Sequence, residues 1–309
     1  MNRSMKLPAQ SRPLPPAVPG ERIVLSGAAG PVTLYAAGPA QPDVPPLLLI
    51  HSVNAAGSAY EIRPVFEHFA ARRAVYAPDL PGFGLSDRSD RPYTPRLMTD
   101  AIHDALDAIA ARHGTVPVDV LGVSLGCEFV ARAAVERPER FRTVALASPT
   151  SFGRSAPRRG PPGSHLGMPW LHKVFTLPLW SGPLFRALTH PKSIRFFLRK
   201  TFGASTIDEG LWAYDCLATR QPGAEHAPFF FVSGFLFSRD ANALYESLRL
   251  PVWMSHGTVG DFTDYGWKSQ LAGRPNWRFT VYEGCGALPF FQRPADFARD
   301  YEAFLCAAS

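Results

Sequence analysis

Leu121-Gly122-Val123-Ser124-Leu125-Gly126 is the stretch that decides the fold. It reads G-x-S-x-G and stands where a buried strand hands over to a helix. Val118, Val120 and Leu121 supply the strand, and Phe129, Val130, Ala133 and Ala134 recur at helical spacing behind it. Glycine at both flanks lets the chain turn sharply against its neighbours, because no Cβ collides there. A serine carried forward on such a turn is a candidate nucleophile.

The elements around this stretch set its context. Arg22 to Ser26 and Val32 to Ala36 read as an antiparallel hairpin, with Gly27 and Gly30 between them. Pro46 to His51 is a continuous apolar run, as a central parallel strand requires. Ser58 to Arg72 is read as a helix, Ala74 to Ala77 as a strand, Arg96 to His113 as a helix and Thr143 to Ala147 as a strand. This alternation predicts a mostly parallel sheet with helices on both faces. It breaks after Pro149 and resumes with strands at Pro251 to His256 and Arg278 to Tyr282 and a closing helix at Ala295 to Leu305. The organisation read from this is a flexible arm over 1–20, a core over 21–149 and 249–309, and an inserted helical lid over 150–248. Dense aromatics in the insertion, among them Trp170, Trp180, Phe196, Phe197 and Phe229 to Phe231, point either to a greasy inner surface or to the lid's own core.

Composition bounds the function. The chain has 309 residues, 46% hydrophobic and 19% charged, enough for one large globular domain with an insertion. No apolar run has the length of a spanning helix, which needs about 18 residues. The first 20 residues carry five prolines and no apolar core of a secretory signal. Cys127, Cys216, Cys285 and Cys306 lack metal-type spacing, and reduced thiols in a cytoplasmic protein account for them. No motif calls for a metal or organic cofactor, and none marks a nucleic-acid partner. The net charge is +6. Arg154, Arg158 and Arg159 in one loop, and Lys192, Arg195, Arg199 and Lys200 in another segment, read as a solvated basic face or as a weak contact with an anionic membrane.

Three segments within Arg22 to Ala307 resemble the α/β-hydrolase superfamily. Gly122 to Gly126 matches its nucleophile elbow. Asp79-Leu80-Pro81-Gly82-Phe83-Gly84-Leu85-Ser86 is similar to the D-x-P-G-x-G-x-S signature of cap-bearing members, and His51-Ser52 resembles the His-Gly turn of the oxyanion loop. The resemblance implies the α/β-hydrolase fold, an eight-stranded sheet with an inserted lid. It implies Ser124 as nucleophile, with the backbone N–H groups of Leu125 and of Ser52 or Val53 as oxyanion donors. It places the acid after the strand ending at Gly257. Asp261 is preferred there over Asp264, in a loop one residue longer than the family spacing. Asp79 and Arg88 are read as structural.

The base departs from the pattern. None of the nine histidines follows His256, and the position matching the family's catalytic histidine is Ala287. General-base help is worth about 10²–10⁴-fold. Three readings stay open. A serine hydrolase of esterase or thioesterase type, acting on an apolar acyl substrate, takes its base from His256, His165 or His226. A non-hydrolytic member binds an apolar ligand in the same pocket. Or Ala287 is a histidine replaced to trap a substrate.

Overall fold

The computed structural model describes residues 13–260 and 263–308. Eight strands form one sheet: β1 (Glu21–Gly27), β2 (Gly30–Ala37), β3 (Leu47–Ile50), β4 (Val75–Pro78), β5 (Val118–Val123), β6 (Phe141–Ala147), β7 (Val252–Gly257) and β8 (Trp277–Tyr282). Their order is β1-β2-β4-β3-β5-β6-β7-β8. β1 and β2 pair antiparallel, β2 runs antiparallel to β4, and all later pairings are parallel. β3 through β7 are buried almost throughout, which is why they read as unbroken apolar runs.

Two apolar layers cover the sheet. On one face pack α2 (Pro95–His113) and α3 (Gly126–Glu136), through Met98, Ile102, Leu106, Phe129 and Val130. On the other pack α1 (Arg63–Ala70) and α11 (Pro294–Ala307), through Phe66, Phe69, Phe297 and Tyr301. Trp253 of β7 stacks on Tyr301 at 5.3 Å between ring centres and meets Phe297 edge-on at 5.1 Å. α2 begins where Thr94 accepts the Leu97 N–H and Pro95 takes the first turn, and it stops at Gly114. The helix expected from Ser58 to Arg72 is two pieces, a 3-10 turn at Ala59–Ile62 and then α1. Pro64 explains the break: it has no N–H to continue the ladder of the preceding turn, yet it suits the first turn of a new helix.

Between β6 and β7 the chain inserts six helices: α4 (Pro169–Phe175), α5 (Ser181–Leu188), α6 (Pro191–Phe202), α7 (Glu209–Ala218), α8 (His226–Val232) and α9 (Ala241–Ser247). A short helix α10 (Pro289–Gln292) precedes α11. The insertion is bolted to the core by buried ions. Arg132 of α3 makes two hydrogen bonds to Asp240, at 2.6 and 3.2 Å, and both side chains are buried. Glu128, fully buried one turn after Ser124, accepts from Thr150, Ser151, Arg158 and the Ser238 amide. Burial raises its pKa and these donors oppose the rise.

Two expectations change. The arm over 1–20 is not all loose. Leu14, Ala17 and Val18 are buried, the Ala17 N–H donates to the Tyr35 hydroxyl at 3.3 Å, and Tyr214 donates to Pro15 O at 2.9 Å. The apolar spacing of these residues is too short to signal a strand or helix, so they read as linker. Residues 1–12 lie outside the described residues. The insertion's aromatics divide between an internal core and the outside. Phe175, Phe185 and Phe229 pack together, as do Phe230, Phe235 and His172, whereas Trp170, Trp180, Phe196 and Phe197 face outward.

Candidate active site

Ser124 sits at the C-terminal end of β5 with φ +51°. Its N–H donates to Ala147 O of β6 at 2.9 Å, and its own carbonyl accepts from Cys127 at 3.1 Å as α3 starts. A left-handed backbone at a non-glycine residue costs free energy and persists only where neighbours enforce it. The neighbours are visible. A Cβ at Gly126 would lie 2.5 Å from His51 O, and one at Gly122 would lie 3.0 Å from Val130 and 3.1 Å from Gly126 O. The two glycines let β5 and α3 close on β3, and that closure holds the serine forward. Ser148 makes the same turn one strand over, with φ +49° and its N–H on Ser255 O at 2.7 Å.

Opposite the serine runs the loop after β3. His51 is wholly buried. Its Nε2 accepts the Leu80 N–H at 2.9 Å and its Nδ1–H donates to Ser52 O at 2.5 Å. Burial holds its pKa down to about 4, so it is neutral and both ring nitrogens are committed to loop backbone. The Ser52 N–H donates to Glu61 Oε2 at 2.9 Å, and Asn54 Nδ2 donates to Glu61 Oε1 at 2.5 Å. That takes Ser52 out of the pair of oxyanion donors expected from the sequence, because its amide is spent on a buried carboxylate. The amides of Leu125 and Val53 have no acceptor among the described residues. Leu125 heads α3, where the first N–H groups lack intrahelical partners and the helix dipole favours negative charge.

The histidines named as substitute bases do not reach Ser124; among the described residues no side chain hydrogen-bonds its hydroxyl. His256 donates from Nδ1 to Gly257 O at 2.7 Å, receives Lys268 Nζ on Nε2 at 2.8 Å, and stacks on Tyr265 with ring centres 4.1 Å apart. Burial, then the Lys268 charge, lowers its pKa. His165 accepts the Gly167 N–H on Nδ1 at 3.1 Å and lies against Phe235 at 4.8 Å. His226 places Nδ1 3.5 Å from Asp90 Oδ1. Asp261, the preferred acid, lies outside the described residues. Asp264 accepts the N–H groups of Arg154 at 2.9 Å and Gly266 at 3.1 Å, which is loop capping. Ala287 is buried, and its N–H donates to Thr201 O at the end of α6 at 2.8 Å. Gln292 doubles that tie, accepting from Gly286 N at 2.7 Å and donating to Phe202 O at 3.1 Å.

A family model described as "Alpha/beta hydrolase family" matches residues 47–300. The chain belongs to the alpha/beta hydrolase family. Among curated relatives, this hydrolase-family chain is 27% identical over 266 residues to a pimeloyl-[acyl-carrier protein] methyl ester esterase of Nitrosomonas europaea, covering 84% of the chain and 95% of the relative. It is 33% identical over 103 residues to a 2-hydroxymuconate semialdehyde hydrolase of a Pseudomonas strain, covering 33% and 35% of the two. Its fold superposes on a meta-cleavage product hydrolase from Pseudomonas fluorescens with TM-score 0.68 at 17% identity, covering 94% of the chain and 98% of that structure. A thermophilic esterase from Thermogutta terrifontis superposes with TM-score 0.69 at 16% identity, covering 94% and 99%. The alpha/beta hydrolase scaffold is thus shown, and the similar curated proteins are esterases and other hydrolases.

Two buried carboxyls of this hydrolase scaffold, Glu61 and Asp215, belong to no sequence motif. Glu61 organises the loop after β3. Asp215 of α7 faces the same region, since Tyr60 and Tyr214, their sequence neighbours, stack at 4.9 Å. Asp215 is buried with Oδ1 unpartnered, and burial, then the Glu61 charge, raises its pKa well above the ordinary value. The two residues are 154 positions apart by number, so nothing in the chain order pairs them.

Proposed function

We propose that the chain is a serine hydrolase of esterase or thioesterase type, acting on an apolar acyl ester of a small molecule with an incomplete triad. The observation that carries this reading is Ser124 at φ +51° beside a Leu125 amide that has no acceptor among the described residues. Ser124 Oγ attacks the acyl carbon, and the carbonyl oxygen becomes an oxyanion held by the Leu125 and Val53 N–H groups. The tetrahedral species expels the alcohol or thiol, and water then releases the acid from the acyl-serine. Asp261 is assigned the acid. With Ala287 in the base position, the serine proton leaves to solvent, to His165 or His226 after movement of the insertion, or to His256 of β7 after Lys268 leaves its Nε2. Turnover is therefore slow and falls mainly on activated esters. The insertion over 150–248 serves as the lid.

A burst of p-nitrophenol from a p-nitrophenyl acyl ester, with acyl mass appearing on the protein, tests this. Both should vanish in Ser124→Ala. An equal rate in that variant sinks the reading.

The tie between the Ala287 loop and α6 supports a second reading. A loop that presents a base to substrate has no need of being bound through Ala287 N and Gln292 to an inserted helix. In that case the chain binds an apolar ligand without covalent chemistry, and ligand affinity survives Ser124→Ala. A third reading, that histidine was exchanged for Ala287 to trap a substrate, predicts full activity on restoring the imidazole.

A further inference from the structure

From Ser151 to Ile207 the chain carries nine lysines and arginines and no aspartate or glutamate. The whole chain is +6, so everything outside this stretch sums to −3. The same stretch gathers exposed apolar surface. Of the fourteen large hydrophobic side chains exposed among the described residues, nine fall between Met168 and Phe197. Leu179 is 82% exposed, Trp170 65%, and Phe196 and Phe197 53% each. Isolated exposed apolar residues are normal, but a concentration of this kind marks an interaction surface.

Charge decides what covers it. Lys173, Arg186 and Lys192 are exposed and make no ion pair among the described residues. Lys200 lies over the Phe196 ring at 5.3 Å, so cation and apolar ring share one spot. A second copy of the chain would bring an equally basic surface against this one, and like charges oppose that contact. An anionic lipid bilayer satisfies both features at once. Its headgroups take the cations, and the boundary of its acyl region takes Trp, Phe and Leu. No helix among the described residues is long and apolar enough to cross a membrane, so contact is at the surface.

We propose that the outer side of α4–α6 docks on anionic lipid bilayers, with Trp170, Leu179, Phe196 and Phe197 entering the interface and Lys173, Arg186 and Lys192 on the headgroups. The inference stands on this surface alone and is independent of whether Ser124 turns over esters.

The test is co-sedimentation of the full chain with vesicles of phosphatidylcholine alone or mixed with phosphatidylserine. The chain should pellet with the mixed vesicles at low salt. It should be released near 1 M salt, where the screening length falls to about 3 Å. Lys173→Gln and Lys192→Gln should each lower the partition coefficient about fivefold. Trp170→Ser combined with Leu179→Ser should abolish binding without changing the thermal midpoint, because both side chains are already in water. Equal pelleting with phosphatidylcholine alone, or binding that survives the Trp170→Ser/Leu179→Ser pair, overturns the proposal. So does a dimer in light scattering that this pair dissolves, with no vesicle binding by the parent.

Discussion

At the residue scale the site turns on how closely three backbones approach one another at Ser124. The carbonyl of His51 lies where a Cβ on Gly126 would go, at 2.5 Å, and it is fixed because the His51 ring is bonded at both nitrogens. Gly126→Ala must therefore push β3 away from α3. The expected cost is about 1–3 kcal/mol in chemical denaturation, the usual range for overpacking. Reactivity of Ser124 should fall with it, since the positive φ is held by the same closure. A Gly126→Ala chain with unchanged stability would show that the approach is not tight. Glu61 gives a second test at this scale. Glu61→Ala frees the Ser52 amide and leaves Asn54 Nδ2 with only the longer bond to Ser52 Oγ at 3.3 Å. It should lower burst amplitude with an activated ester more than it lowers the thermal midpoint. An effect on the midpoint alone would assign Glu61 to folding only.

At the element scale, the insertion packs into both apolar layers of the core, through Leu236, Leu244 and Tyr245 on one face and Phe202, Leu211 and Tyr214 on the other, and buried charges pin it at defined points. Arg132 and Asp240 are nearly solvent-free and bonded twice. Asp240→Ala strands the guanidinium in the interior and should cost about 3–5 kcal/mol, read as a shift in the urea midpoint. A loss under 1 kcal/mol, the size of a surface pair, would mean that water reaches the site. This scale also shows what the sequence carries and what it hides. Every strand read from hydrophobic pattern is present to within about two residues at its ends. The reason is that central parallel strands are apolar on both faces and their signal is local. The elbow was legible because Gly122 and Gly126 record a steric demand directly. The Ser52–Glu61 bond, the docking of Leu14 to Val18 and the tie from Ala287 to Thr201 were not legible. Each involves polar or irregular backbone, the last two over long distances in sequence, and such contacts leave no periodic mark. The outward-facing Trp170, Phe196 and Phe197 misread for another reason: an exposed aromatic and a buried one look alike in a sequence.

At the scale of the whole molecule, the α7 contact with the core carries a pH dependence. Asp215 holds its proton above its ordinary pKa of 3.8, chiefly because it is buried and then because Glu61 is near. The unfolded chain loses that proton near the ordinary value while the native chain keeps it. The native state then binds more protons, so this contribution to stability falls as pH rises above about 4. Asp215→Asn keeps the shape and removes the titration. It should raise the thermal midpoint at pH 8, raise it less at pH 5, and flatten the profile between. A lower midpoint at pH 8 would mean that Asp215 is charged and partnered in the native chain. The same scale sets the balance between the basic stretch from Ser151 to Ile207 and the net-negative sum of all other residues, which orients the molecule toward an anionic surface with that stretch leading.

The most direct measurement is intact-mass analysis after incubation with a fluorophosphonate, comparing the parent with Ser124→Ala and Ala287→His. The parent should slowly gain one phosphonyl group and Ser124→Ala none. Addition to Ala287→His should be faster by about 10²–10⁴-fold, the range of general-base assistance. Labelling that persists in Ser124→Ala, or its absence from both the parent and Ala287→His, would contradict the claim that Ser124 is a formed nucleophile lacking only its imidazole.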